Sequence, residues 1–423
     1  MRLAPRTAAV LLSLTLLSAT ACAPSTSTST SPSTSTAPGG KVTLSVWGWG
    51  PDADYDKMFT EYEKLHPGVD VDARSFTTAT EYDTILSTGL AGDSGPDLAW
   101  LRAGANLQPL VEAGRLLPLD VKDVPGLAAY DEKVLRAAKG DKDGKVYGVP
   151  FAVQTLQVIY NKKIFADHGI SPPRTWDEMI AAAGKLKAAK IVPFAFGGKD
   201  DWMLPVVAGI FGTAHWGGDD FLKAVKAKEK KFADPAFVEG IDQLNKLKPY
   251  FPDDVAGVSY TDAQILFSSG KAAMFPGGLW ELNFFGQHAK DIELGVFTPP
   301  APNGPGLMPG FTDGSYGINA KSRNRAEALK FAAWLASKDY GQLFTDTLRI
   351  FSAVPGVTPK DALLKEVATT FEQQGAAYFM NEFAYGNPSS QVVFSKSLQE
   401  MLLGRITARE AAEQLDKSVS TWL

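Results

Sequence analysis

Apolar and polar residues alternate along Val42-Thr-Leu-Ser-Val-Trp47, the period of a half-buried strand, until Gly48-Trp49-Gly50-Pro51 interrupts it. Apolar positions then recur at helical spacing through Tyr55, Met58, Phe59, Tyr62 and Leu65, and Pro67-Gly68 stops the helix. Residues 69 to 73 alternate again, Tyr82, Ile85, Leu86 and Leu90 form a second helical stripe, and Pro96-Asp-Leu-Ala-Trp-Leu101 reads as a buried strand. The β-α-β-α-β order predicts an α/β fold with a mostly parallel sheet and helices on both faces.

Farther on, Asp143-Gly144 predicts a hairpin turn into Val146 to Pro150, followed by one long strand from Phe151 to Tyr160. Thr175-Trp-Asp-Glu178 matches a capping box that opens a helix. Gly270 to Phe275 reads as a strand ended by Pro276-Gly277-Gly278, and Phe311 to Gly317 as a glycine-rich loop meeting the strand Ile318-Asn319. Ala326 to Ala336 is a helix, and two more close the chain. One carries Phe394, Leu398, Met401 and Leu402 and ends at Gly404; the other opens with the box Thr407-Ala-Arg-Glu410. No internal repeat is present.

Hydrophobic residues make up 45% of the 423, enough beyond residue 40 for two cores of ordinary domain size. The net charge of −5 leaves no basic field for nucleic acid. The N-terminus reads as an export signal over residues 1–21: Arg2 and Arg6 precede a short apolar run, and Ala19-Thr-Ala21 puts small residues before Cys22, the one cysteine. Residues 23 to 40 are almost all Ser, Thr, Pro, Ala and Gly, a tether too poor in apolar groups to order itself. With one thiol, no internal disulfide can form.

Ala19-Thr-Ala-Cys22 resembles the bacterial lipobox, which implies a lipid on Cys22 and a protein held at the outer face of the cytoplasmic membrane. The family motif prefers Leu where Ala19 stands, and Ala19-x-Ala21 also suits a peptidase that would release the chain. A second resemblance runs through most of the remaining sequence. Val46-Trp47, Gly95-Pro96-Asp97, Tyr147-Gly-Val-Pro150, Tyr160-Asn161-Lys162, Thr175-Trp176-Asp177-Glu178, Met274 to Trp280 and Gly317-Ile318-Asn319 occur in the order seen in the family 1 extracellular solute-binding proteins. These are the maltose-binding-protein-like sugar receptors of ABC-type importers. The resemblance implies a type II periplasmic-binding-protein-like fold of two lobes with the ligand cleft between them. The chain is expected to cross between lobes near residues 151–156, 310–316 and 355–375, giving lobes of 41–152 plus 314–358 and 153–313 plus 359–423. It also implies a carbohydrate ligand, a membrane permease as partner, a monomer, and no cofactor, metal or catalysis.

A sugar presents hydroxyls at its rim and apolar C–H faces, so its pocket pairs aromatic platforms with polar side chains. Trp47 and Trp49 stand where the first strand meets its helix, a ligand-facing crevice in α/β sheets, with core packing as the competing role. Trp100 and Arg102 close the third strand; Trp100 reads as core, whereas Arg102 is suited to paired hydroxyls or to a solvated loop. Gln154 falls at a crossing where the resemblance places an acidic sugar contact, and its amide can both donate and accept. Asp201 and Trp202 lie in a second-lobe loop, and Trp280 matches the family's stacking tryptophan. Glu281, Asp313, Tyr316 and Arg349 complete the candidate ligand set, each weighed against cap, turn, packing or surface roles.

The main rival is a secreted glycosidase, which uses the same platforms with a pair of carboxylates. A third reading is a binding protein for a charged solute, for which only Arg102, Lys199 and Arg349 are available as basic groups. Serine-hydrolase and zinc-protease motifs are absent, and His66, His168, His215 and His288 are scattered. Asp52, Asp54 and Asp56 open like a calcium loop, but Lys57 occupies the glycine position.

Overall fold

Ten strands carry the architecture: β1 (Val42–Trp49), β2 (Val69–Phe76), β3 (Leu98–Arg102), β4 (Val149–Asn161), β5 (Val192–Phe194), β6 (Ala272–Gly278), β7 (Leu294–Phe297), β8 (Met308–Ile318), β9 (Phe351–Ser352) and β10 (Gly375–Ala377). They belong to a computed structural model that describes residues 40–50, 52–76, 79–301 and 304–423. The export signal, Cys22 and the tether through residue 39 lie outside the described residues.

The main strand order is β2-β1-β3-β8-β4-β6-β5. β1 pairs in parallel with β2 and β3, as β5 does with β6 and β10 with β8, and the first of these follow from the helical crossovers Asp52–Leu65 and Ala79–Ala91. The remaining pairs, β3 with β8 and β4 with β6, β7, β8 and β9, are antiparallel. The sheet is therefore mixed, because the two strands that link its halves run in opposite directions.

β4 makes that link by changing partners along its length. Val149 to Thr155 pair with β8, and Leu156 to Tyr160 pair with β6. β8 does the same, pairing Gly310 with β10 at one end and Ile318 with β3 at the other. The expected glycine-rich loop at 311–317 is thus part of a strand. Its glycines answer to crowding: a Cβ on Gly314 would come within 2.4 Å of Leu101 O, and one on Gly317 within 2.2 Å of Leu101 Cδ1.

Two hydrophobic cores flank this link, giving the two-lobe α/β fold. One gathers Leu44, Val46, Tyr62, Leu98, Phe331 and Tyr340 and extends to Phe267, Phe275 and Phe285; the other contains Leu156, Phe194, Phe211, Phe237, Phe394 and Leu415. Most of the expected helix face Tyr55, Met58, Phe59 and Tyr62 is buried, but Leu65, in the last turn, is 67% exposed. The Thr407/Glu410 capping box is complete. At Thr175 only half of one forms, since Glu178 accepts from Arg174 N instead. Asp143-Gly144 does turn, with Gly144 at φ +66°, but it is spanned by the isolated bridge Lys139 to Val146 rather than by paired strands, and Val146 also bridges to Leu119.

Two of the recurring motifs turn out to hold each other. Asp97 accepts from Ser45 N and from Ser322 Oγ, and Asn319 Nδ2 donates to Pro96 O at 2.9 Å. Gly95-Pro96-Asp97 and Gly317-Ile318-Asn319 thus tie the start of β3 to the end of β8.

Candidate functional site

The middle of β4 is where the candidate residues converge. Between Val149 and Thr155 its register with β8 slips twice: Pro150 pairs with Ser315 and Ala152 with Gly314, but Val153 pairs with Thr312. Asp313 is therefore the extra residue of a bulge, a device that turns a side chain out of the strand's alternation. Gln154 Nε2 donates to Asp313 Oδ2 at 2.9 Å, while Gln154 Oε1 is buried with no protein partner. An orphaned buried acceptor is costly, by about 1–3 kcal/mol, and suits a hydroxyl donor.

Arg102 ends β3 opposite Gly314, and its Nε lies 3.2 Å from Asp83 Oδ2. Burial raises the pKa of both Asp83 and Asp313, and the Arg102 charge acts against that rise in each. The arginine thus sits within the field of two carboxylates. Two residues earlier on β3, Trp100 packs edge-on to Trp49 with centroids 4.9 Å apart, and Trp49 also meets Tyr82 and Phe151. Gly48 permits this packing, because a Cβ there would lie 2.9 Å from the Trp100 ring.

The second set is an aromatic wall. Trp202, at the head of helix Met203–Trp216, has its ring 5.0 Å from Tyr260 and 6.2 Å from Trp280. All three are half-buried. The loop carrying Trp202 is pinned by Asp200, whose Oδ2 accepts from Tyr260 N at 2.6 Å. Trp280 stands two residues past the end of β6, and its ring comes up against Gly278, where a Cβ would be 1.9 Å from Trp280 Cζ3. The wall reaches the polar group through the backbone: Leu279 N donates to Thr155 O at 3.2 Å, next to Gln154.

Several expected contacts are placed elsewhere. Glu281 has no exposed surface and accepts from Tyr260 Oη at 2.6 Å, Trp280 Nε1 at 2.8 Å and Gln264 Nε2 at 2.9 Å. Burial lifts its pKa to about 7, against the lowering effect of those three bonds. Tyr316 is also fully buried, with its hydroxyl bonded to that of Tyr340. Trp47 packs against Phe76 and under the Arg74 guanidinium, so its ring is a scaffold for β1 and β2. Arg349, in a left-handed conformation at the end of helix Lys338–Leu348, binds Leu282 O and Asp361 and lines a separate groove with Phe285 and Lys290. Asp201 is exposed at the rim beside Trp202. Among the described residues no cluster of three or more His, Cys, Asp or Glu is arranged to hold a metal.

Tyr260 and Asp83 are the residues that the motifs did not single out. Ser259-Tyr-Thr-Asp262 forms a complete capping box, so the pattern placing Tyr260 at a helix start was readable. Asp83 lies inside an ordinary helical stripe and carries no such mark.

The chain as a whole has known relatives. The chain is 28% identical over 320 residues to the multiple sugar-binding protein of Streptococcus mutans, covering 72% of this chain and 73% of that one. It is 24% identical to the galactooligosaccharide-binding protein of Bacillus subtilis, with 84% and 82% covered. The solved structure of a chitin oligosaccharide binding protein superposes with a TM-score of 0.76 at 27% identity, over 90% of this chain and 99% of that one. Residues 37–342, well over half of the sequence, match the family described as bacterial extracellular solute-binding protein. The two cores, the shared strand between them and this match agree, and the chain belongs to the bacterial extracellular solute-binding protein family.

Proposed function

We propose that the chain is an exported, non-enzymatic receptor that captures a neutral mono- or oligosaccharide between its lobes and delivers it to the permease of an ABC-type importer. The observation that carries this reading is the meeting at β4 of an aromatic wall with a polar group set: Thr155 O holds Leu279, the residue before Trp280, while the adjacent Gln154 holds Asp313. Ring faces suit the C–H surfaces of a pyranose, and Gln154, Asp313 and Arg102 offer acceptors and donors for its hydroxyls. The sugar ligands in the names of the Streptococcus and Bacillus relatives support the same class.

In this reading the lobes are residues 41–152 plus 314–358 and 153–313 plus 359–423, with Phe267, Phe275 and Phe285 of the second lobe joined to the first core. Trp49 and Arg102 then belong to one lobe and Trp202, Tyr260 and Trp280 to the other. A ligand touching both favours the closed arrangement, which a permease can distinguish from the open one. A lipid on Cys22 would keep this monomeric receptor at the outer face of the cytoplasmic membrane. The glycosidase alternative requires two carboxylates free to act on one bond. Glu281 already accepts on both oxygens, which supports the binding role.

Tryptophan fluorescence titration against galactose, raffinose, maltotriose and a chitin oligosaccharide, followed by assay of the recovered sugar, tests the reading. Saturable change with intact sugar is the expected result. Shortened sugar would establish a hydrolase, and binding confined to charged solutes would replace the carbohydrate assignment.

A further inference from the structure

Resting on the sugar-receptor reading above, we infer that Glu281 is the positioning residue of the aromatic wall, fixing Trp280 and Tyr260 from behind so that what they offer a ligand is carbon surface alone. One oxygen, Oε1, accepts both the Tyr260 hydroxyl and the Trp280 indole N–H, and Oε2 accepts the Gln264 amide. The carboxylate itself is sealed from solvent, whereas both rings remain half-exposed. The polar atom of each ring is therefore turned inward and used. Hydroxyl recognition falls to Gln154, Asp313 and Arg102, and the wall selects for ring faces.

The sequence explains why the tie is tight. Glu281 follows Trp280 directly, and Tyr260 and Gln264 share one face of helix Tyr260–Ser268, four residues apart. Gly278 removes the Cβ that would collide with the indole, so the ring sits against β6 with its N–H within reach of the carboxylate. Gly277 leaves room for Glu281 itself, since a Cβ there would stand 3.1 Å from Glu281 Cγ. Burial favours the neutral acid. The neutral form keeps the arrangement if Oε2 carries the proton and donates to a turned Gln264 amide, leaving Oε1 to accept from both rings.

The test follows the indole N–H signals of the nine tryptophans by proton–nitrogen correlation NMR, in wild type and in Glu281→Gln, Glu281→Ala, Trp280→Phe and Trp280→Ala. Trp280→Phe assigns the Trp280 signal by its loss. The inference expects that signal to shift and to exchange with solvent at least about tenfold faster in Glu281→Ala, the scale of one lost hydrogen bond. It expects the signal to persist in Glu281→Gln, whose carboxamide oxygen still accepts. In parallel, affinity for the tightest-binding sugar of the fluorescence panel should fall about tenfold in Glu281→Ala and be restored in Glu281→Gln. An unmoved Trp280 signal in Glu281→Ala, or its equal disturbance in Glu281→Gln, overturns the inference. If Glu281→Ala does not fold, the Glu281→Gln spectrum alone decides. Should Trp280→Ala bind sugar like wild type while the indole tie is intact, the receptor-site reading fails and the tie stands.

Discussion

Asp54 Oδ2 accepts from Asn283 Nδ2 at 2.9 Å and from Gln287 Nε2 at 3.2 Å, joining the first turn of helix Asp52–Leu65 to helix Trp280–His288. Under the proposed lobe division this carboxylate bridges the two halves outside the β4 and β8 links. Such a contact exists only when the halves are close, so it favours the closed arrangement. Asp54→Ala should therefore raise the sugar dissociation rate by about three- to tenfold, the effect of one or two partly exposed hydrogen bonds. Stopped-flow fluorescence measures this directly. An unchanged dissociation rate would remove the bridge from the closing mechanism.

Gly278→Ala tests the seat of Trp280. The added methyl would fall 1.9 Å from Trp280 Cζ3, and the neighbouring β4 pairing at Leu156 prevents the backbone from yielding. The indole must swing away. The expected result is a loss of sugar affinity close to that of Trp280→Ala, with a modest stability cost of about 1–3 kcal/mol from overpacking. Calorimetric titration and urea unfolding on the same sample separate the two.

The fold was legible where periodicity and punctuation coincide. The first three strands, their crossover helices and the long strand through Tyr160 all follow from alternation or helical spacing bounded by Gly and Pro. Residues 311–317 were not legible as strand, because their glycines look like a loop until Leu101 is placed against them. The site divides in the same way. Trp280 opens a helix and Gln154 falls at an expected crossing, so both could be singled out, whereas the inward turn of Glu281 depends on Tyr260 and Gln264, up to 21 residues away in sequence. Asp313 owes its placement to a register slip that no local pattern encodes.

The surroundings of Arg102 are acidic: its charge acts on Asp83 and Asp313, and Asp54 and Asp313 are close enough to Tyr55 to raise its pKa further after burial. A ligand carboxylate or phosphate brought there would meet net repulsion. A uronic acid should bind at least about tenfold more weakly than the neutral sugar of the same ring configuration. Asp313→Asn should narrow that gap while weakening the neutral sugar, because an amide nitrogen replaces one acceptor. A wild-type preference for the uronate would overturn the assignment of Asp313 to hydroxyl recognition.

Glu281 also sets a pH dependence of stability whose sign is fixed by the direction of its shift. Its pKa rises from an ordinary 4.5 to about 7 in the folded protein. Below pH 4.5 the acid is neutral in both states and contributes no difference. Between 4.5 and 7 the unfolded chain has released its proton while the folded one retains it, so stability falls as pH rises, then levels off above 7. The full change is about 3 kcal/mol. His215, lowered from 6.5 to about 4 by burial, acts oppositely, since folding then opposes its protonation and stability is lost as pH falls below 6.5. Subtracting Glu281→Gln from wild type cancels His215 and the raised Asp83, Asp313 and Asp416. The difference in unfolding free energy, measured in urea from pH 5 to pH 8, should move against wild type across that range. A flat difference would mean that the carboxyl ionises as readily in the folded protein as in the unfolded chain.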